Sequence, residues 1–341
     1  MDLYAASPEE LEALLGSWGE PRFRTGQLRR WLYERGVASF EAMTDLPASL
    51  RRRLGDEASL GTLSVVAEQH SRDGTRKRLY RLATGERIES VLMPYGDGRN
   101  TACVSTQAGC AMGCTFCATG QMGFARSLTS AQILEQALRF SGELKAEGKR
   151  LSNVVLMGMG EPFHNYEASL DAIRRLMSDL GIGARHITVS TVGLVPQIRR
   201  FAAEGLQVGL AVSLHAATDA QRSELMPVNR RWPLAELMAA CRDYTEASGR
   251  RVTFEWALIE GVNDDVRAAR RLARLLRGVP AHVNLIPLNP TRGYGGAPTG
   301  SGGAERFVAT LAEAHVPATV RVRRGIDIDA GCGQLYASVK A

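Results

Sequence analysis

The first third of the chain shows two successive patterns of apolar and polar positions. Residues 1–58 have the period of helices: "QLRRWLYERG" places its apolar residues on one face, and Gly36 would end that helix. The stretch "SPEE" from Ser7 has the spacing of a capping box. Residues 59–95 instead alternate around "RDG" and "ATGER", which are turn signals. We therefore predict an N-terminal helical domain over residues 1–58 and a β-hairpin connector over residues 59–95.

From residue 96 onward, short apolar runs alternate with longer amphipathic segments such as "SAQILEQALRFSGELKAEG". Six runs are candidate strands: "ACVST", "NVVLMGM", "HITVST", "VGLAVSLH", "RVTFEWALI" and "HVNLIPL". This alternation predicts an α/β fold with a parallel sheet, and six units predict a partial (β/α)6 barrel because a closed barrel has eight. We assign the barrel to residues 96–325 and a C-terminal tail to residues 326–341, with a Gly/Pro/Ser-rich loop over Pro290–Glu305.

The composition fits an ordinary globular protein. The chain has 341 residues, is 45% hydrophobic and has a net charge of +6. No apolar run reaches the ~18 residues of a membrane helix, and the acidic N-terminus does not resemble a signal peptide, so we expect a cytoplasmic protein. The basic balance and arginine clusters such as Arg51–Arg53 and Arg321–Arg324 suit a polyanionic partner, although solvated helix faces explain them almost as well.

Three of the six cysteines, Cys110, Cys114 and Cys117, fall within eight residues and are spaced C-x3-C-x2-C. In a reducing compartment, clustered cysteines are more often ligands than disulfides. Three thiolates bind zinc when a fourth ligand is present, but the next histidine along the chain is His164. They also suit an iron–sulfur cluster in which one iron has no protein ligand. A structural zinc site is the alternative at this point.

Polar or glycine-rich residues follow further candidate strands. They are Gly160, Glu161, Ser190, Ser213, Leu214, His215 and Asn289. Because the carboxyl ends of parallel strands meet at one rim of a barrel, we expect these residues to share one site with the cysteine loop.

The other three cysteines occur singly. Cys241 lies in a helical pattern and is predicted to be a core thiol. Cys103 is placed at the start of the first barrel strand. Cys332 lies between Gly331 and Gly333, which would let a thiol change position.

Taken together, these motifs resemble the RlmN family of radical S-adenosylmethionine enzymes, which methylate C2 of adenine in RNA; the C8-methylating Cfr proteins are close relatives. The resemblance covers nearly the whole chain. It includes "RIESVLMP", "CVSTQAGCAMGCTFCATGQMGF", "NVVLMGMGEPFHNY", "HITVSTVGLVP", "RSELMPVNRR", "HVNLIPLNP" and "GIDIDAGCGQLY". One departure is Gly331, where relatives usually carry alanine.

The resemblance implies a role for each matching residue. The ligands of one [4Fe-4S] cluster per chain would be Cys110, Cys114 and Cys117. Contacts to S-adenosylmethionine would come from Gly160, Glu161, Ser190, Ser213, Leu214, His215 and Asn289. Cys332 would carry the methyl group, Cys103 would resolve the covalent RNA adduct by forming a disulfide, and Glu89 would accept a proton. Two molecules of S-adenosylmethionine would be used for each methyl group transferred.

The resemblance also implies partners: adenosine 2503 of 23S rRNA, adenosine 37 of certain tRNAs, and an electron donor such as flavodoxin or ferredoxin. The chain is expected to be a monomer. Two alternatives stay open, namely C8 methylation of the same rRNA adenine and a non-catalytic zinc-bound RNA-binding module. The residues "HVNLIPLNP" and "MGMGEPF" read closer to the C2 branch.

Overall fold

A computed structural model describes residues 1–337 of the chain. It begins with helices α1 (Pro8–Ser17) and α2 (Phe23–Arg29), a π-helical turn (Arg30–Arg35) and α3 (Ala48–Glu57). The capping box is present: Ser7 Oγ accepts the N–H of Glu10, and the Glu10 carboxylate accepts the N–H of Ser7 at 2.7 Å. As predicted, Gly36 ends the second helical segment, with a φ of 63°. The segment before Pro47, however, is not helical, because a residue that precedes proline is driven out of the α conformation.

Twelve strands follow within residues 1–337, and they form one ten-stranded sheet and one two-stranded sheet. Their bounds are β1 (Ser64–His70), β2 (Arg76–Arg81), β3 (Arg87–Pro94), β4 (Asn100–Cys103), β5 (Gln107–Gly109), β6 (Phe124–Ser127), β7 (Asn153–Leu156), β8 (Ile187–Thr191), β9 (Gly209–Ser213), β10 (Val252–Leu258), β11 (Ala281–Pro287) and β12 (Ala318–Val320). The large sheet has the order β1-β2-β3-β4-β7-β8-β9-β10-β11-β12, whereas β5 pairs with β6.

Pairing is antiparallel from β1 to β4 and parallel from β4 to β12. The intervening helices are α4 (Ala118–Gln121), α5 (Ser130–Ala146), α6 (Tyr166–Ser178), α7 (Val195–Ala203), α8 (Asp219–Leu225), α9 (Leu234–Ser248), α10 (Val266–Leu275) and α11 (Ser301–Glu313). The predicted partial barrel is therefore confirmed, with all six predicted strands and the short β12 as a seventh parallel strand.

Apolar side chains from the strands and helices form one large core and a smaller apolar cluster beside the cysteine loop. Trp256 and Phe254 on β10 and Leu285 on β11 are fully buried, and Trp256 packs on Phe307 of α11 with ring centroids 5.7 Å apart. No helix within residues 1–337 is both long and apolar enough to cross a membrane.

Two further details differ from the sequence prediction. Cys103 is the last residue of β4, not its first, because the strand already begins at Asn100. The predicted loop Pro290–Glu305 ends at Gly300, after which α11 begins, because Ala304, Phe307 and Leu311 give this segment a buried apolar face.

Candidate active site

The carboxyl ends of the parallel strands and the C-terminal tail enclose a cavity of about 220 Å³. Predicted site residues that line it are Cys103, Cys110, Cys114, Cys117, Gly160, Glu161, Ser190, Ser213, His215, Asn289 and Cys332. Two others, Glu89 and Leu214, are not among its lining residues. Because the strands are parallel, their carboxyl ends lie on one side of the sheet. Residues at or after the ends of five strands therefore surround one cavity, together with Cys332 from the C-terminal tail.

The three clustered cysteines lie on the loop between β5 and α4, which folds over one side of the cavity. The loop is held by backbone hydrogen bonds, from Cys110 N–H to Gly123 O at 2.8 Å and from Cys117 N–H to Cys114 O at 3.2 Å. Burial raises the pKa of the Cys110 thiol to about 12 and that of Cys114 well above its ordinary value. Buried thiols of this kind become thiolates only when a positive centre, such as a metal cluster, binds them.

Within residues 1–337, no three Cys, His, Asp or Glu side chains converge closely enough to hold a single metal ion. A four-iron cluster requires a different arrangement of thiols, because each thiolate binds a separate iron. Three thiols that face one cavity at C-x3-C-x2-C spacing fit this arrangement.

Glu161 supplies a buried carboxylate at the end of the loop after β7. It is 2% exposed, and its oxygens accept the N–H groups of Phe163 at 3.1 Å and Val192 at 2.9 Å. Burial raises the pKa of Glu161 to about 7. Both donors are neutral, so a ligand ammonium group would find an uncompensated carboxylate here.

His215 follows β9 with a positive φ of 57°. Its Nδ1 accepts the N–H of Ala257 at 2.8 Å, and its ring lies edge-on to Phe116 of the cysteine loop at 4.8 Å. Burial lowers the pKa of His215 to about 3, so the ring is neutral and its Nε2 carries the proton. The neighbouring Leu214 is fully buried, and its N–H donates to Glu255 O at 3.0 Å.

Asn289 joins the strand ends to the tail. Its Nδ2 donates to the carbonyl of Cys332 at 3.0 Å, while its Oδ1 is buried without a partner in the described structure. A buried acceptor of this kind is costly unless a ligand satisfies it. A Cβ at Gly331 would lie 2.6 Å from Asn289 Nδ2, so an alanine at this position would require the Asn289 side chain to shift.

The tail also contacts the first residues of α4, directly after the cysteine loop. Ala118 N–H donates to Gly333 O at 2.8 Å, and Thr119 Oγ1 donates to Leu335 O at 2.8 Å. Cys332 is exposed, and it lines the same cavity as the clustered cysteines.

Cys103 and Cys332 line the same cavity. Burial, and to a lesser extent the charge of Cys332, raises the pKa of Cys103 to about 12. All six cysteines are free, so the disulfide expected during turnover is not formed in this structure.

Glu89 on β3 is 1% exposed and contacts the tail instead of the cavity. Its Oε1 pairs with Lys77 Nζ at 3.1 Å, and its Oε2 accepts the N–H groups of Tyr336 at 2.9 Å and Ala337 at 3.1 Å. Lys77 Nζ also donates to Asp329 O at 3.3 Å. The predicted proton acceptor is therefore covered by the tail.

The sequence prediction missed three buried cations, Lys77, Arg78 and Arg222. Arg222 on α8 is 0% exposed and donates to three backbone carbonyls at the ends of β8 and β9. The sequence feature that could have indicated burial of Arg222 was its position three residues before Leu225, because residues three apart lie on the same face of a helix.

Two family models match the chain. Residues 104–273 match the radical SAM superfamily, and residues 1–60 match the ribosomal RNA large subunit methyltransferase N-terminal domain.

Full-length relatives are also similar. The dual-specificity RNA methyltransferase RlmN 1 of Myxococcus xanthus is 53% identical over 342 residues, covering 99% of this chain and 95% of its own. The dual-specificity RNA methyltransferase RlmN of Anaeromyxobacter dehalogenans is 51% identical, covering 98% of this chain and 92% of its own.

A solved structure shares the fold. The crystal structure of a radical SAM methyltransferase from Sphaerobacter thermophilus matches with a TM-score of 0.95 and 50% identity, covering 99% of this chain and 100% of that chain. Sequence, fold and the arrangement of the site thus agree, and the chain belongs to the RlmN family of radical S-adenosylmethionine RNA methyltransferases.

Proposed function

We propose that this enzyme methylates C2 of adenine in RNA, with adenosine 2503 of 23S rRNA and adenosine 37 of certain tRNAs as its substrates. The observation that carries the proposal is that Cys103 and Cys332 line one cavity together with the three clustered cysteines. The relatives' names, which describe dual-specificity RNA methyltransferases, support RNA of two kinds.

The residues present fit a [4Fe-4S] cluster and S-adenosylmethionine. Cys110, Cys114 and Cys117 would hold the cluster. The uncompensated Glu161 carboxylate would accept hydrogen bonds from the methionine amino group, and the orphaned Oδ1 of Asn289 would accept another ligand donor. Further contacts would come from Gly160, Ser190 and the stretch Ser213 to His215.

The cofactors, when bound, would supply a methyl group and, after one-electron reduction, a radical that can take a hydrogen atom from a methyl thioether. Cys332 would carry that methyl group and, after losing a hydrogen atom from it, would become joined to C2 of adenine; the C2 proton and one electron would leave, the electron returning to the oxidised cofactor that supplied it. Cys103, as a thiolate, would then attack the Cys332 sulfur; the carbon would leave with the electron pair of the S–C bond and take up a proton, which releases methylated RNA and leaves a Cys103–Cys332 disulfide. Two electrons and two protons from a cellular reductant would restore both thiols.

Glu89 would accept the proton lost from C2. Its Oε2 is now occupied by the N–H groups of Tyr336 and Ala337, so this role requires the end of the tail to move away. Movement of the tail would also let RNA approach Cys332.

RNA would enter past the basic residues at the rim of the cavity. Arg323 and Arg324 line it, and Arg324 stacks on Tyr95 with its guanidinium 4.4 Å from the ring centroid. Such residues suit phosphate and base contacts. We further propose a cytoplasmic monomer that takes electrons from flavodoxin or ferredoxin.

The product identifies the reaction. Purified anaerobic enzyme is incubated with unmodified 23S rRNA and S-adenosylmethionine under reducing conditions, and digested RNA is compared with 2-methyl- and 8-methyladenosine standards by mass spectrometry. We expect 2-methyladenosine, whereas 8-methyladenosine would establish the Cfr-type alternative.

Two cysteine variants test the covalent route. Cys103→Ala should accumulate protein joined to RNA, because no thiol remains to release the adduct, whereas Cys332→Ala should form none. Denaturing gels with and without nuclease measure both. The scheme is wrong if Cys332→Ala forms the adduct.

A further inference from the structure

The buried guanidinium of Arg222 connects the strand ends on one side of the cavity. Its Nη2 donates to Val192 O at 2.6 Å and Ser213 O at 3.1 Å, and its Nε donates to Leu214 O at 3.2 Å. Its Nη1 donates to Asn229 Oδ1 at 3.0 Å. One side chain therefore fixes the loops after β8 and β9 relative to each other.

These carbonyls belong to the proposed S-adenosylmethionine site. Ser213 and Leu214 are two of its predicted residues. Val192 is held from both sides, since its N–H donates to Glu161 Oε2 at 2.9 Å and its carbonyl accepts from Arg222. A shift of Arg222 would therefore move Glu161 and Ser213 together.

The same helix contacts the cysteine loop. Leu225, at the end of α8, accepts the N–H of Thr115 at 3.0 Å and packs against Cys114 in a small apolar cluster. Arg222 lies one helical turn before Leu225, on the helix whose last carbonyl holds the cysteine loop. Burial lowers the pKa of Arg222 to about 10, so this side chain stays charged at neutral pH, and the charges of Cys114 and Arg222 each shift the pKa of the other group.

The charge of Arg222 has no close anionic partner among its four hydrogen bonds, which all go to neutral oxygens. The nearby Asp219 carboxylate is engaged by Asn229 Nδ2 at 3.0 Å and the N–H of Leu234 at 2.8 Å. A buried cation is costly unless an anion compensates it. An iron–sulfur cluster bound by three thiolates is anionic and becomes more so when it gains an electron.

We propose that Arg222 is a positioning residue with two effects: it braces the S-adenosylmethionine side of the cavity, and its charge raises the reduction potential of the cluster. The inference rests on the proposed cofactor site. Net charge near an iron–sulfur cluster is one of the factors that set its potential.

Three variants separate the two effects. Arg222→Lys keeps the charge but cannot reach all four acceptors, whereas Arg222→Gln and Arg222→Met remove the charge. Arg175→Gln is the control, because Arg175 also donates to a backbone carbonyl, that of Tyr4 at 2.6 Å, but lies on α6 against the N-terminal domain.

Iron content, the cluster potential from an EPR-monitored redox titration, and S-adenosylmethionine affinity are measured for each. We expect Arg222→Gln to have a lower potential than the wild type, and Arg222→Lys a potential close to it. Both should bind S-adenosylmethionine about tenfold more weakly, as expected for the loss of a charge-assisted hydrogen bond. Arg175→Gln should change neither quantity.

An iron-loaded Arg222→Gln with the wild-type potential would overturn the electrostatic effect, and an Arg222→Lys with wild-type affinity would overturn the bracing. Arg222→Met repeats the potential measurement if the glutamine variant does not fold. Wild-type protein that binds neither iron nor S-adenosylmethionine would instead contradict the proposed cofactor site, which separates the two failures.

Discussion

The cysteines differ in what each can do, although all six are free thiols in the structure. Cys114 lies in the loop that lines the cavity, whereas Cys241 is fully buried on α9 in the main core. Cys114→Ala should remove one iron ligand and most of the bound iron. Cys241→Ala removes the same atom, a thiol sulfur, from the main core, and it should leave the iron content unchanged. Iron and sulfide assays on anaerobically purified protein check both; full iron in Cys114→Ala would exclude it as a ligand.

If Glu161 binds the amino group of S-adenosylmethionine as proposed, binding depends on pH. Its raised pKa means that the folded protein binds this proton more tightly than the unfolded chain, so its contribution to stability is present below pH 4.5 and lost as the pH rises through about 7. Binding of a ligand amino group needs the ionised form. S-adenosylmethionine affinity of the wild type should therefore fall as the pH is lowered through about 7.

Glu161→Gln is the matched variant for this effect, since it keeps the shape and one acceptor but cannot titrate. It should bind S-adenosylmethionine about tenfold more weakly at pH 8, because it lacks the charge. Its affinity should also change less with pH. Isothermal titrations of iron-loaded protein between about pH 6 and 8.5 measure this, and parallel profiles for the two proteins would rule out Glu161 as the source.

Among the elements, α5 contacts the N-terminal domain directly, as α6 does through Arg175. A Cβ at Gly142 of α5 would lie 2.2 Å from the carbonyl oxygen of Gly36, which ends the π-helical turn. Gly142→Ala should therefore destabilise the protein by roughly 1–3 kcal/mol, because the clash outweighs the gain in helix propensity. The free energy of unfolding from urea titration measures it.

Gly55→Ala on α3 is the control for that substitution, because a Cβ there would have no neighbour within 4 Å. It should stabilise the protein by up to about 1 kcal/mol. Equal effects of the two alanines would show that the close contact of Gly36 and Gly142 has no energetic consequence.

At the scale of the whole molecule, the β-hairpin connector holds the tail that carries Cys332. Ser71 Oγ donates to Asp327 Oδ1 at 2.6 Å, and the N–H of Gly325 donates to Asp73 Oδ2 at 3.0 Å. Lys77 and Glu89 then hold the tail on both sides of Cys332, through the carbonyl of Asp329 and the N–H groups of residues 336 and 337. Residues from the first and last thirds of the chain thus close the cavity together.

Lys77→Met should loosen this closure, because it removes the hydrogen bond to the tail and leaves Glu89 without its buried partner. We expect the N–H groups of Tyr336 and Ala337 to exchange with deuterium roughly tenfold faster, as breaking a buried ion pair costs several kcal/mol. Peptide mass spectrometry after a timed hydrogen-exchange pulse gives the rate. Arg81→Met, at the exposed end of the same strand, is the control, and equal rates in both variants would contradict a clamp at Lys77.

The sequence alone was sufficient for the strand–helix alternation, the partial barrel, the capping box at Ser7 and the family. These features depend on local periodicity and on motifs in which neighbouring residues act together. The π-helical form of Arg30–Arg35 was not predicted, because the apolar pattern indicates a helix but not its type. The helical start at Ser301 was not predicted either, because burial of Ala304, Phe307 and Leu311 overrides the weak helix propensity of the glycines there.

Only the tertiary structure revealed that Glu89 contacts the tail, that Asn289 binds the Cys332 carbonyl, and that Arg222 joins three loop carbonyls. Each of these contacts joins groups that are distant in sequence or brings a charge into the core, and its energy depends on burial and on partners that no local pattern specifies. The sequence by itself determined which chemical groups this protein has and which strands they follow. The tertiary structure decided which of them meet, because burial removes competing water and makes the few remaining partners decisive.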